Sequence, residues 1–364
     1  KTGKIAYEPL KPHELIVVPI ARTEPAIHYE DLMDHTHAEF MEHSVVYFGM
    51  CCILDMVPFV RSVFVVLNLY SGHRRYGDVQ SQIEYVHLSD QYDILVLSID
   101  LAVDEIKGNL ADPVVVAFWR GQIRCRRVVG FLAGPPCESL SVVRYLFVDG
   151  MANPPVPLRS AAEPWGLPNL RLGNYRQLGL ANQLLFVAFD FALELMVTGG
   201  FALIEHPQEP SNKLRAPSIW RLPQYRWLRG APCVEHINFR QSIHGQVSHK
   251  PTGLMAMRLP TLKTLIRKPQ CDLGEERPMQ ALSGWDPLLK CWNTGQAKQY
   301  PPSMCRAMAL AVVDSIEKMH SSIPSSSSTD TDDCNDIQHM YDAFDPYLGS
   351  GGTVQSDCAL HRRP

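Results

Sequence analysis

The 364-residue chain is predicted to form an α/β domain with a mainly parallel sheet, on three observations. Apolar runs of strand length alternate with stretches of helical pattern, the order that produces βαβ units. The first run, residues 63–69, is apolar almost throughout, as in a strand buried on both faces. Each run also ends in a turn or side chain with chemistry to offer: Ser71-Gly72, Asp100, Pro136-Cys137 and Glu205. In parallel sheets ligands gather outside the carboxyl ends of the strands.

The elements follow in order. Residues 63–69 (Val-Phe-Val-Val-Leu-Asn-Leu) form the first strand, ended by Tyr70-Ser71-Gly72. A polar stretch from Gly77-Asp78-Val79-Gln80 to Tyr85 supplies the next helix. Residues 93–99 are the second strand, and Asp100 follows. Residues 113–124 read as a helix and 128–133 as the third strand, leading through Gly134-Pro135-Pro136 to Cys137 and Glu138. Proline fixes φ and removes a donor, so this turn holds its thiol with little freedom. Pro and Gly punctuate residues 160–180, an expected ordered loop over the face carrying the strand ends, with Trp165 packed beneath it. Residues 182–197 are apolar on nearly every side, which predicts a buried helix stopped by Gly199-Gly200. Residues 201–204 are the fourth strand and deliver Glu205-His206-Pro207.

Composition sets the class. Hydrophobic residues make up 46% and charged residues 20%, ordinary for a soluble globular protein, and the length predicts a large core domain plus a smaller lobe or tails. The ten cysteines include no C-x-x-C pair, which argues against zinc fingers, iron–sulfur clusters and a secreted disulfide scaffold and suits a reducing compartment. Asp34-His35-Thr36-His37 with Glu42-His43 has metal-ligand chemistry, but an acidic exposed helix is the better reading, and no metal is expected. Cys51-Cys52 is assigned to core. The longest membrane-span candidate, 181–198, carries Asn182, Gln183, Asp190 and Glu194, so no membrane association is expected. No secretory signal is read, and an opening on Lys1 is expected of a fragment or processed product.

Charge is unevenly placed. Residues 1–60 carry nine acids against four Lys/Arg, while in 211–270 eleven Lys/Arg face only Glu235, with Trp220, Tyr225, Trp227 and Phe239 interleaved. Such a region fits a polyanion, basic groups on phosphates and rings available for stacking; a solvated basic surface is the plainer alternative. Residues from 321 onward are Ser-, Asp- and Gly-rich and predict disorder.

Each strand end has a chemical job available. A strand–turn–helix bearing Gly72 lets backbone approach a cofactor closely, and Asp100 is placed to accept from ribose hydroxyls. Asn109 is a candidate for the adenine side. Taken singly, such an acid is more often a helix cap, and Cys137 taken alone is more readily a structural thiol than a nucleophile. A thiol and the Glu205 carboxylate on one sheet edge can instead attack an electrophilic ring carbon and hold a proton.

In order, Leu67-Asn68-Leu69-Tyr70-Ser71-Gly72, Gly134-Pro135-Pro136-Cys137 and Ile204-Glu205-His206-Pro207 resemble the cofactor loop, nucleophile loop and Glu-Asn-Val-type loop of C5-cytosine DNA methyltransferases. Gln241-Ser242-Ile243-His244-Gly245 and Lys250-Pro251-Thr252 stand where that family has its arginine-bearing strand. Tyr300-Pro301-Pro302-Ser303-Met304-Cys305 is similar to the segment that folds back on its cofactor domain. The Gly-Pro-Pro-Cys-Glu-Ser and Lys-Pro-Thr forms resemble divergent, retroelement-borne members, and that likeness extends to a place in a longer polyprotein. The similarity covers roughly residues 60–320 and is collinear.

The resemblance implies a Rossmann-like S-adenosylmethionine-dependent sheet with a smaller basic target-recognition lobe. It implies residues 1–60 as an acidic extension, 61–210 as the cofactor-binding and catalytic domain and 211–290 as the target-recognition region. Residues 291–320 would be the returning helix and 321–364 a disordered tail. By match Cys137 would attack C6 of a flipped cytosine and Glu205 would hold N3 and the exocyclic amine. Tyr70, Ser71, Gly72, Asp100 and Asn109 would bind the cofactor, and Pro136, Arg240, Gln241, Lys250, Thr252 and Arg258 the substrate. A helix N-terminus after Cys137 would lower its pKa, and Arg159 is a further candidate for a substrate phosphate. DNA is the implied partner, with RNA open, and the nucleus the implied location. The sequence departs from the family at Glu138, which opposes thiolate formation, at His206-Pro207, and at the missing arginine pair. The Gly-Asn motif before the last helix is reduced to Asn293-Thr294-Gly295-Gln296. A silent nucleic-acid-binding member is the alternative; a small-molecule methyltransferase is a third reading, which the basic region disfavours.

Overall fold

A computed structural model describes residues 62–145, 156–210, 216–268, 285–286, 291–292 and 298–322. Expectations for residues 1–60, Cys51-Cys52, the 34–43 histidine segment, Asn293–Gln296 and the tail beyond 322 lie outside these residues.

Six strands form one sheet: β1 (Ser62–Leu69), β2 (Tyr92–Ile99), β3 (Val128–Ala133), β4 (Phe201–Pro207), β5 (Val234–Arg240) and β6 (Pro251–Met257), ordered β2-β1-β3-β4-β6-β5. The first four pair in parallel, and β6 pairs antiparallel with both β4 and β5. Only β6 is therefore reversed. A further antiparallel pair joins β7 (Trp285–Asp286) to β8 (Cys291–Trp292).

Side chains alternate across a strand, and β1 shows the consequence. Val65, Leu67 and Leu69 enter the core under α2 (Pro113–Arg124), α3 (Leu172–Thr198) and α4 (Pro223–Arg229). Phe64 and Val66 enter the opposite core, under α1 (Val79–Val86), α5 (Leu262–Arg267) and α6 (Pro302–Ser321). Two helical layers thus cover both faces of a mixed sheet.

Local chemistry starts and stops these helices. Asp78 caps α1 by accepting from the Ser81 amide, and Asp112 caps α2 through the Val114 amide ahead of Pro113. Gly199, at φ 86°, ends α3 in the left-handed region where glycine carries no Cβ penalty. The helix begins at Leu172, ten residues before the apolar run that announces it. Its first turns carry Gly173 and Gly179 and expose Leu172 and Leu180, so their periodicity is diluted. The expected 160–180 loop is consequently confined to residues before Leu172.

By length and composition α3 is the one helix among the described residues able to cross a membrane, and 67% of its apolar window is buried inside the fold. Its acids are neutralised from α2, Asp190 by Arg120 at 2.5 Å and Glu194 by Arg124 at 2.6 Å.

The resemblance implies a smaller basic target-recognition lobe over residues 211–290. The described part of that region instead supplies α4, β5, β6 and α5 to the main body, with β5 and β6 completing the sheet. In β5 the buried Ile237 and Phe239 alternate with polar residues, a half-buried edge pattern that a reading guided by charge passes over.

Candidate functional site

The chain leaves β1 toward β2 on one side and β3 on the other, so a crevice opens between the carboxyl ends of β1 and β3. A cavity of about 380 Å³ occupies it. Of the site residues named from sequence, Tyr70, Ser71, Gly72, Asp100, Pro136, Cys137, Glu205 and Lys250 line this one space.

The loop after β1 is shaped by its backbone. Tyr70 (φ 58°) and Gly72 (φ 66°) both lie in the left-handed region, and the Tyr70 hydroxyl donates to the Leu184 carbonyl at 2.6 Å. Open space surrounds Gly72, so its conformation, and not crowding, calls for glycine. Asp100 accepts from the Gly72 amide at 2.9 Å and from the Ala102 amide at 2.8 Å. It therefore fixes the loop, while lone pairs on a carboxylate with two bonds remain for a ligand hydroxyl.

The loop after β3 carries the thiol. A Cβ on Gly134 would lie 2.3 Å from the Tyr300 hydroxyl, so only glycine admits that ring. Behind the loop Arg159 is completely buried; its Nε and Nη2 donate to Ser139 Oγ at 3.1 and 2.9 Å and its Nη1 to the Pro164 carbonyl at 2.8 Å. Burial brings its pKa down to about 9. The sequence offered Arg159 to a substrate phosphate; the structure spends it on holding the segment that follows Cys137.

In the described residues directly after Cys137, 138–145, there is no α-helix. A turn leads to the four-residue 3-10 helix Val142–Tyr145, so the expected helix dipole is missing. Burial pushes the Cys137 pKa up to about 12, with Glu205 and Glu138 adding to the shift and Lys250 and Lys298 opposing it. Burial raises the Glu138 pKa, but the bond it accepts from Lys298 Nζ at 2.7 Å, with its own backbone and the charges of Lys298 and Arg144, holds its carboxyl below the usual range.

Glu205 is gripped from three elements. The Tyr300 hydroxyl donates to Oε2 at 3.1 Å, Gln241 Nε2 donates to Oε1 at 3.3 Å, and Lys250 Nζ stands 3.9 Å from Oε1. Burial and then the Glu205 charge drive the Tyr300 pKa well above its ordinary value, so the phenol stays a donor. Gln241 also donates to Thr252 Oγ1 at 3.1 Å. Both are fully buried behind Glu205 and support it without facing the cavity. Beside them His206 is buried, its Nε2 unpartnered, and burial followed by the Arg159 charge lowers its pKa to about 3; it is neutral.

Three named residues stand elsewhere. Asn109 Oδ1 accepts from the Ala111 amide at 3.2 Å in the turn before α2 and does not line the cavity. Arg258 donates to the carbonyls of Leu195, Met196 and Gly200 at 3.4, 3.1 and 3.0 Å, which makes it a cap for the end of α3. Arg240 is exposed at the carboxyl end of β5, on the sheet edge that bears the cavity but outside it. Arg75, Lys298 and Tyr300 also line the cavity and were not among the named site residues; Arg75 Nη2 donates to the Tyr300 carbonyl at 2.5 Å. Tyr300 had a signal, an aromatic directly before the Pro301-Pro302 start of α6.

The basic region is divided by the fold. Arg221 pairs with Glu209, Lys263 with Glu235, Lys250 with Glu205, and Arg258 caps α3. His244 Nε2 meets the Ile266 carbonyl at 2.8 Å, which brings exposed Arg267 and Lys268 toward the cavity's edge of the sheet, the edge that also carries Arg240.

Comparison with known families, curated proteins and solved structures finds no match for the chain. What its fold defines is a mixed α/β protein with a cleft, lined by both polar and apolar side chains, at the point where strand order reverses. Among the described residues no group of three or more His, Cys, Asp or Glu is arranged to hold a metal ion. The cavity does combine a thiol, a carboxylate fixed at both oxygens, and a turn whose backbone is open to a ligand.

Proposed function

We propose that the chain transfers a methyl group from S-adenosylmethionine to C5 of cytosine in nucleic acid, DNA first and RNA as the related case. One observation carries this reading: Cys137 and Glu205, from the ends of adjacent parallel strands, share a cavity with Gly72 and Asp100. The residues fit such a cofactor, because the Gly72 turn leaves open space and Asp100 can accept from ribose hydroxyls. When bound, the cofactor supplies the electrophilic methyl. The strand order supports a Rossmann-like arrangement, in which the β1/β3 crevice is the ligand position.

Chemistry then falls to the chain's own groups. The Cys137 thiolate would add to C6 of an extruded cytosine, opening the C5–C6 double bond, while Glu205, held by Tyr300 and Gln241, would hold N3 and the exocyclic amine. Once C5 carries the methyl, loss of the C5 proton would re-form the double bond and expel the thiolate. Base extrusion costs a few kcal/mol, recovered by pocket contacts and by cations at the rim. Arg240, Arg267 and Lys268 are exposed cations of the basic region on that edge. Such work would place the protein in the nucleus.

A second reading, a silent nucleic-acid-binding member, is favoured by the high proton affinity of Cys137, at about 12. Transfer of a labelled methyl group to DNA separates the two. Wild type is expected to transfer label, with Cys137→Ser reduced to background. Binding of DNA without transfer would leave the silent reading.

A further inference from the structure

The site lacks the arginine pair that its resemblance calls for, yet it holds a cation of its own. Lys250 opens the turn into β6 at φ 29°, a left-handed conformation that is costly for a side chain without glycine's freedom. Its carbonyl is pinned in that posture by the Thr252 hydroxyl at 3.0 Å and the Gln241 amide at 3.3 Å. The side chain is thereby carried into the cavity, where only 16% of it is exposed. Its ammonium lies 3.9 Å from Glu205 Oε1 and 5.5 Å from the centre of the Tyr300 ring. Strained backbone kept in place by neighbours is typical of a position that serves function.

We propose that Lys250 is the charge-supplying residue of the site, its ammonium offsetting Glu205 and stabilising the thiolate form of Cys137 in the cavity they share. The setting demands such a group. From its own loop Cys137 meets Glu138, from β4 Glu205, from the segment before α6 Lys298 and the neutral Tyr300, and from the turn before β6 Lys250. His206, also on β4, is neutral and adds no charge. Two carboxylates thus oppose ionisation of the thiol. Lys298 is committed to Glu138 at 2.7 Å on the exposed side, which leaves Lys250 as the cation on the Glu205 side. A lysine beside the carboxylate, in the cavity that also holds the thiol, brings one positive charge to bear on both.

The inference rests on Cys137 acting as a nucleophile, but its test needs neither cofactor nor nucleic acid, so the two readings fail separately. Alkylation by iodoacetamide, in which the thiolate displaces iodide, is followed by peptide mass spectrometry over a pH series. The exposed Cys125 in the same molecule serves as reference. Removing a cation raises the thiol's pKa, so Lys250→Met should move the Cys137 profile to higher pH and slow labelling at neutral pH about three- to tenfold, roughly half to one pKa step. Lys250→Arg should stay near wild type, and Lys250→Gln repeats the test if Met unfolds the protein, which rapid labelling of buried Cys305 would reveal. An unchanged Cys137 profile in a folded neutral variant would overturn the proposal.

Discussion

At the scale of single residues, what controls Cys137 is the balance of charges within one cavity. Glu138 looks from sequence like the main obstacle to a thiolate, but its charge is answered by Lys298 at 2.7 Å, and burial together with Glu205 weighs more. Glu138→Gln removes one charge that raises the thiol's pKa and releases Lys298, which lowers it; both changes favour the thiolate. Alkylation of Cys137 at neutral pH should therefore quicken several-fold, and slower labelling would refute this balance. The Glu138–Lys298 pair is partly exposed, so stability should change by no more than about 0.5 kcal/mol. Cys137, Glu205, Gly72 and Asp100 were legible because a strand end fixes where its next residue goes. Arg159, Arg258 and Asn109 were not. Whether a guanidinium or amide meets a ligand or its own backbone depends on which carbonyls the fold brings near, and spacing in sequence does not encode that.

Among the elements, α3 and the β5–β6 hairpin carry the most consequence. Thirteen of the 27 residues of α3 are buried, which lets the helix serve as the spine of one face of the sheet. Its carboxyl end is held by the Gly200 amide on the Leu195 carbonyl and by Arg258, itself at φ 51° directly after β6, on the carbonyls of Leu195, Met196 and Gly200. Arg258→Leu removes its bonds to the Met196 and Gly200 carbonyls, while Leu195 keeps the Gly200 amide at 2.8 Å, and should cost about 1–3 kcal/mol. Thermal unfolding should then begin several degrees lower, with nucleic-acid affinity unaltered; lost affinity at full stability would return Arg258 to the substrate. The strands β1 to β4 were readable from unbroken apolar runs. The start of α3 and the pairing of β5 with β6 were not, because exposed first turns dilute helical periodicity and an edge strand mixes polar with apolar residues.

For the whole molecule, the sheet order does two things at once. It brings four loops distant in sequence, after β1, β2, β3 and β4, to one crevice, and it returns β6 against β4 so that Lys250 enters the same space. It also sorts the basic residues of 211–270. Some are consumed in ion pairs and a helix cap, while Arg240, Arg267 and Lys268 are left exposed on the edge that bears the cavity. A substrate reaching Cys137 would approach over those cations, consistent with a polyanion. The most direct measurement is incubation of the protein with S-adenosylmethionine and a DNA duplex bearing 5-fluorocytosine, in which fluorine at C5 blocks release of the enzyme. The account predicts a covalent complex whose digestion maps the adduct to Cys137. Binding of cofactor and DNA with no adduct at Cys137 would contradict it.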